Sequence, residues 1–227
     1  MEINDAMQAR MALLKETGYN VEAAKKCWDF VRGDYEAKKQ EPASGRLEDG
    51  VYLIDTKGNA VRFEGEATES VNDTAYVGLV QGGHAVAIAL HDVSEDEITL
   101  TAKESKKDHG GCKDSYMDAV QDWDGKGNTE RLKQIGLNPA IQLKDAEYIP
   151  ALAELYLICL NQKAINDAMR FVGGQELESW YWSSTECSTV NGWCLSLYDG
   201  IACNSTWGAG ESKVRPVSTF LPITVKY

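Results

Sequence analysis

The spacing of apolar residues changes twice along this chain, and that change limits the folds open to it. Residues 51–55 (VYLID) and 60–63 (AVRF) flank Gly58, and residues 75–80 (AYVGLV) and 84–90 (HAVAIAL) flank Gly82-Gly83. Short apolar runs broken by Gly turns predict two hairpins, and residues 98–102 predict one more strand. The spacing then becomes helical. Tyr116, Met117 and Val120 share a stripe, Asn128 can cap a short helix that runs through Leu132 to Gly136, and Pro150 opens a stronger helix on Leu152, Leu155, Tyr156 and Cys159. Ala164, Ile165, Ala168 and Met169 form its successor, stopped by Gly173-Gly174. Short strand patterns return at 180–184, 193–197 and 214–217. Strands, then helices, then strands imply an α+β domain rather than a βαβ series.

A different unit precedes it. Ile3, Met7, Met11 and Leu14 form one stripe, Gly18 stops it, and Val21, Ala24, Trp28 and Val31 form another after Asn20. This predicts a helical hairpin over 1–34, a polar linker over 35–49 containing Pro42 and Gly45, and the main domain over 50–227. The hairpin could dock the domain to a larger assembly or drive homo-oligomerisation.

Charge narrows the function. Lys plus Arg is 23 against 35 for Asp plus Glu, a net charge of −12. That balance argues against nucleic acid as a partner, because a phosphate backbone needs a basic face. No apolar run approaches the ~18 residues of a membrane span, so no membrane insertion is expected. The opening MEINDAMQARMALLKETG has no signal-peptide pattern, which predicts a cytoplasmic or virion-associated protein. Cys27, Cys112, Cys159, Cys187, Cys194 and Cys203 include no C-x-x-C, so free thiols are expected and a zinc site or disulfide framework is not, although a disulfide within the Cys187–Cys203 hairpin would be possible outside a reducing compartment.

Few residues carry a chemical signature. Residues 122–128 (DWDGKGN) begin like a calcium loop, with acids at alternate positions and Gly127 sixth. Lys126 and Lys133 then occupy ligand positions, so a Gly-rich turn capped by Asn128 is the expectation. His109 and Cys112 have the spacing of half a metal site, without a second half. Ser183-Ser184 lacks the G-x-S-x-G elbow of a serine nucleophile, and Gly82-Gly83 lacks the Lys of a phosphate loop. The expectation is no enzyme, no cofactor and no metal.

The strongest compositional signal lies near the C-terminal end. Residues 187–210 (CSTVNGWCLSLYDGIACNSTWGAG) hold one charge, Asp199, where the chain's 26% would place about six. Within it Trp193, Leu195 and Leu197 alternate with Cys194, Ser196 and Tyr198. A half-buried strand would point the first set inward and the second outward. With Ile201 to Trp207, the outward set is small, polar or aromatic, the mixture that binding loops use. An ordinary Ser/Gly-rich surface hairpin is the plainer alternative.

These residues carry a resemblance. Residues 181–186 (YWSSTE), Trp193, Asp199-Gly200 and 214–217 (VRPV) resemble the end of the Lcl-type C-terminal domain family, and 149–155 (IPALAEL) resembles that family's helix start. The likeness covers roughly residues 50–220 and implies a C-type-lectin-like fold. The chain also resembles the variable proteins of diversity-generating retroelements, from phage and gut bacteria, which carry a hypervariable region at the end of such a fold. Those elements mutate template adenines, so AAY codons become Ser, Tyr, Cys, Ile, Val or Thr but never Lys or Glu. The likeness thus implies a ligand-binding face of Cys187, Ser188, Val190, Asn191, Cys194, Ser196, Tyr198, Ile201, Cys203, Asn204, Thr206 and Trp207. Trp207 has no AAY origin. The implied scaffold is Trp182, Trp193, Leu195, Leu197 and Arg215. The calcium and sugar motifs of true C-type lectins are absent, so "lectin" describes the fold alone.

The function expected is binding of a protein or glycan on another cell or particle through a diversified face. The alternatives are a structural virion or cell-surface component, and a metal-dependent lectin.

Overall fold

Two antiparallel sheets and four helices form the domain in a computed structural model that describes residues 47–65, 73–102 and 111–220. The predicted hairpin over 1–34, most of the linker, Cys27 and His109 lie outside the described residues.

The first described elements are β1 (Gly50–Asp55), β2 (Ala60–Arg62), β3 (Thr74–Gln81) and β4 (His84–Ala89). β3 and β4 are joined at Gly82 and Gly83, whose φ angles of 59° and 86° suit a hairpin that requires positive φ at both central residues. Two short strands complete the first sheet: β5 (Glu147–Tyr148) and, near the end of the chain, β9 (Val217–Ser218). Its order is β2-β1-β3-β4-β9-β5, with antiparallel neighbours throughout. The strand expected over 98–102 forms only single bridges, Ile98 to Ser212 and Thr101 to Leu137.

The helices are α1 (Tyr116–Ala119), α2 (Gly125–Ile135), α3 (Leu152–Leu160) and α4 (Gln162–Val172). The expected cap at Asn128 is corrected. Helix α2 starts at Gly125 because Asp124 accepts the Gly127 N–H, and Asn128 lies within the helix and donates to Asp122 at 2.7 Å. The second sheet follows, made of β6 (Trp180–Glu186), β7 (Asn191–Ser196) and β8 (Ala202–Thr206), with β7 in the centre.

Two cores are built around that second sheet. One joins the inner residues Val51, Leu53, Val77 and Leu79 to Leu152 and Leu155 of α3, Ile165 and Met169 of α4, and Trp193, Leu195 and Leu197. The other joins Leu100, Leu132, Ile149 and Val214 to Trp182, Cys194 and Trp207. The β6–β7 hairpin is therefore covered on both faces. Every residue from Gly192 to Leu197 is buried, where a half-buried strand would have alternated.

The YWSSTE run holds these layers together. Its register against β7 shifts between Trp182 and Glu186, and the bulge turns Ser184 and Thr185 toward the helix starts. The Ser184 N–H donates to the Pro150 carbonyl at 2.8 Å. The Thr185 hydroxyl accepts from the Leu152 N–H at 2.9 Å, which satisfies an orphan donor in the first turn of α3, and donates to Asp122 at 2.8 Å. Ser183 is buried within the same strand, so this pair of serines is part of the frame.

Candidate binding face

Antiparallel pairing places β8 at the sheet edge, with β7 on one side and no strand on the other among the described residues. The Ser196 N–H donates to the Ile201 carbonyl, and the Trp207 N–H to the Val190 carbonyl. The alternation of such a ladder then directs the backbone groups of Ala202 and Asn204 away from β7.

The candidate residues divide by position. Val190, Tyr198, Ile201, Cys203, Asn204 and Thr206 are exposed, and Tyr198 and Ile201 are the most open apolar side chains here, at 84% and 57%. Ser188 and Asn191 are half-buried. Cys187, Cys194, Ser196 and Trp207 are buried, which corrects the expectation that they point outward. Cys194 and Trp207 are enclosed by the second core, whose members are scattered over the sequence from Leu100 to Val214. Trp182, Trp193, Leu195, Leu197 and Arg215 are buried. The Trp182 indole donates to the Ile98 carbonyl at 2.8 Å, and the Trp193 indole to the Lys113 carbonyl at 2.7 Å.

The β7–β8 turn is braced from within. Gly200 takes φ 74°, a left-handed conformation that suits glycine. Asp199 accepts the Ile201 N–H at 3.2 Å. Its carboxyl is held below the usual range, first by the Ser196 hydroxyl and then by the Ile201 N–H. The single charge of residues 187–210 thus supports the turn. Ser196, buried under it, supplies a hydrogen bond rather than a contact surface.

Two residues extend the face that pattern reading assigned only to helix stripes. The Tyr156 hydroxyl donates to the Gly200 carbonyl at 3.3 Å and lies 2.9 Å from the Tyr116 hydroxyl. Tyr116 is 46% exposed and meets the edge of Trp193, with ring centroids 6.1 Å apart. Burial raises the Tyr156 pKa, reinforced by the Tyr116 hydrogen bond. The pair sets two phenols against the Gly200 turn. An aromatic residue on an apolar stripe gave no sequence signal for this role.

The other candidates lie elsewhere. Both Asp122 oxygens are engaged, by the Asp124 N–H and by Asn128 and Thr185. Gly125 is pressed on the α3 start, where a Cβ would come 2.2 Å from a Glu154 oxygen. Among the described residues no three His, Cys, Asp or Glu side chains are grouped to hold a metal ion. Cys159, Cys187, Cys194 and Cys203 are free thiols. A separate cleft of about 920 Å³ lies between the β1–β3 strands and α4, bordered by Arg62, Phe63, Asp167 and Phe171. It shares no residue with the hairpin.

The fold has a solved counterpart. The chain is similar to a fimbrial protein from Bacteroides ovatus ATCC 8483, with a TM-score of 0.57 and 14% identity over 75% of this chain. It spans about half of that structure, 48% of its length. No protein-family profile matches the sequence, and no curated protein does. At this identity the likeness concerns architecture: an α+β domain with antiparallel sheets.

Proposed function

We propose that this chain is a surface-displayed binding module on a C-type-lectin-like scaffold, whose contact face is the exposed edge of the β7–β8 hairpin together with its turn and the adjoining β6–β7 connection. One observation carries the reading: Val190, Tyr198, Ile201, Cys203, Asn204 and Thr206 are exposed and uncharged, on a hairpin whose Trp193, Leu195 and Leu197 are locked in the core. A rigid frame reduces the ordering cost of binding, and exposed aromatic groups bring contact area with few rotors. The ligand in this reading is a protein or glycan on another cell or particle. All six exposed residues are among those that adenine mutagenesis of AAY codons produces, so the same face suits the hypervariable region of a retroelement variable protein. The fimbrial neighbour is compatible with display at a surface.

Two tests separate the parts of this reading. Glycan and cell-surface protein arrays probed with the full chain and with Tyr198→Glu test the face: a ligand lost by a variant of unchanged Tm supports it, and equal binding contradicts it. A genomic near-copy of the segment encoding 187–210, differing at adenines and beside a reverse transcriptase, tests diversification. Its absence removes that part alone.

The likeness to a fimbrial protein favours a second reading, a structural component of a surface assembly. That role needs no contact at Tyr198 or Ile201, so assembly unaffected by charge there would distinguish it. A metal-dependent lectin gains nothing from residues 122–128, where Asp122 is spent on internal hydrogen bonds.

A further inference from the structure

Cys194 and Cys203 sit directly opposite each other on β7 and β8. The flanking bonds, Ser196 N–H to Ile201 and Trp207 N–H to Val190, make 194 and 203 a mutually bonded pair of the ladder. Such a pair holds its Cα atoms about 5.5 Å apart, within the span of a disulfide. The two sulfurs are 2.9 Å apart, and Cys194 Sγ also lies 3.2 Å from the Cys203 carbonyl oxygen. The two thiols differ in access: Cys203 is exposed, whereas Cys194 is 2% exposed beneath the second core.

We propose that Cys194 and Cys203 form a thiol–disulfide modification site, closed by an external disulfide of the glutathione class. The Cys203 thiolate attacks one sulfur of the reagent, forming a mixed disulfide and releasing one thiolate. Cys194 then loses its proton to water and attacks Cys203 Sγ, and the second reagent thiolate leaves. The two electrons given up by the protein thiols reduce one reagent disulfide to two thiols. Access dictates this order, because only Cys203 meets a solvent-borne reagent. Burial, with the Cys203 hydrogen bond adding to it, raises the Cys194 pKa, so ring closure is the slower step. The product staples the edge strand β8 to β7. It stands on the geometry of the pair alone, whatever the hairpin binds.

The test uses the full chain with glutathione disulfide, followed by alkylation, digestion and mass spectrometry without reductant. The expected product is a linked Cys194–Cys203 peptide two hydrogens lighter than the dithiol, with a rise in Tm of roughly 5 °C from the closed short loop. Cys203→Ser, at an exposed position, should leave Cys194 unmodified and abolish the rise. Cys194→Ser should stop the reaction at a glutathione adduct on Cys203. A stable adduct on Cys203 in the unaltered chain, a link from Cys203 to another cysteine or to a second chain, or no reaction would overturn the proposal.

Discussion

Arg215 and Asp92 meet in the interior, with guanidinium Nε and carboxylate Oδ1 2.6 Å apart and both side chains 1% exposed. Arg215 also donates to the carbonyls of Ala89 and Gln175, joining the end of β4 to the segment after α4. Asp92 in turn accepts from the Gln175 side chain at 3.0 Å. A buried pair is costly to desolvate, but removing one partner is worse, because a charge is left buried alone. Asp92→Asn and Arg215→Met should each lower unfolding free energy by about 3–5 kcal/mol, while the double variant should lose less than the two single losses combined. Urea titration of the three variants checks this.

Glu154 gives the domain a pH response. Burial, aided by Asp122 and Asp124, raises its carboxyl from an ordinary 4.5 to about 7, against the Ala151 N–H and Tyr148 hydroxyl that favour its charge. Between these values the folded state holds a proton that the unfolded chain has released. Its contribution to stability is complete below about 4.5 and lost as pH rises through about 7. The full effect is about 3 kcal/mol. Glu154→Gln can keep the oxygen that caps Ala151 and should flatten the decline between those pH values. Equal slopes in chemical unfolding of the two proteins would contradict the assignment.

The Thr185 hydroxyl ties the start of α3 to the Asp122 loop through one atom. Thr185→Val keeps the shape and leaves the Leu152 N–H without its acceptor, at a cost of about 1–3 kcal/mol. Thr185→Ser should recover most of that loss, and comparing their thermal transitions tests the hydroxyl separately from the methyl.

The hairpin should divide energetically into frame and face. Leu195, fully buried in the first core, should lose about 2–5 kcal/mol on truncation to Ala. Tyr198 at 84% exposure and Asn204 on the edge strand should stay within about 0.5 kcal/mol. Equilibrium unfolding of Leu195→Ala, Tyr198→Ala and Asn204→Ala makes the comparison.

The parts legible in sequence are those decided by near neighbours. Short apolar runs on either side of the Gly82-Gly83 turn marked β3 and β4, and the Leu152, Leu155 and Cys159 spacing marked α3. Long-range packing accounts for the differences. Alternation in β7 implied one wet face, yet Leu100, Leu132 and Val214 arrive from distant parts of the chain to cover Cys194. Asn128 and Asp124 both suit a cap, and only the three-dimensional position of Asp122 assigns Asn128 to the helix interior. The role of Asp199 and Ser196 was hidden for the same reason: a turn brace and a surface residue look alike until burial is known.

The exposed edge and turn of the β7–β8 hairpin form a contact face on an indifferent frame in this reading. The most direct measurement is array binding by the full chain, Tyr198→Glu and Asn204→Lys, each matched for Tm. Ligands bound by the unaltered chain should be lost or weakened at least tenfold by both variants, about 1.4 kcal/mol or more. Undiminished binding by both variants would contradict this reading.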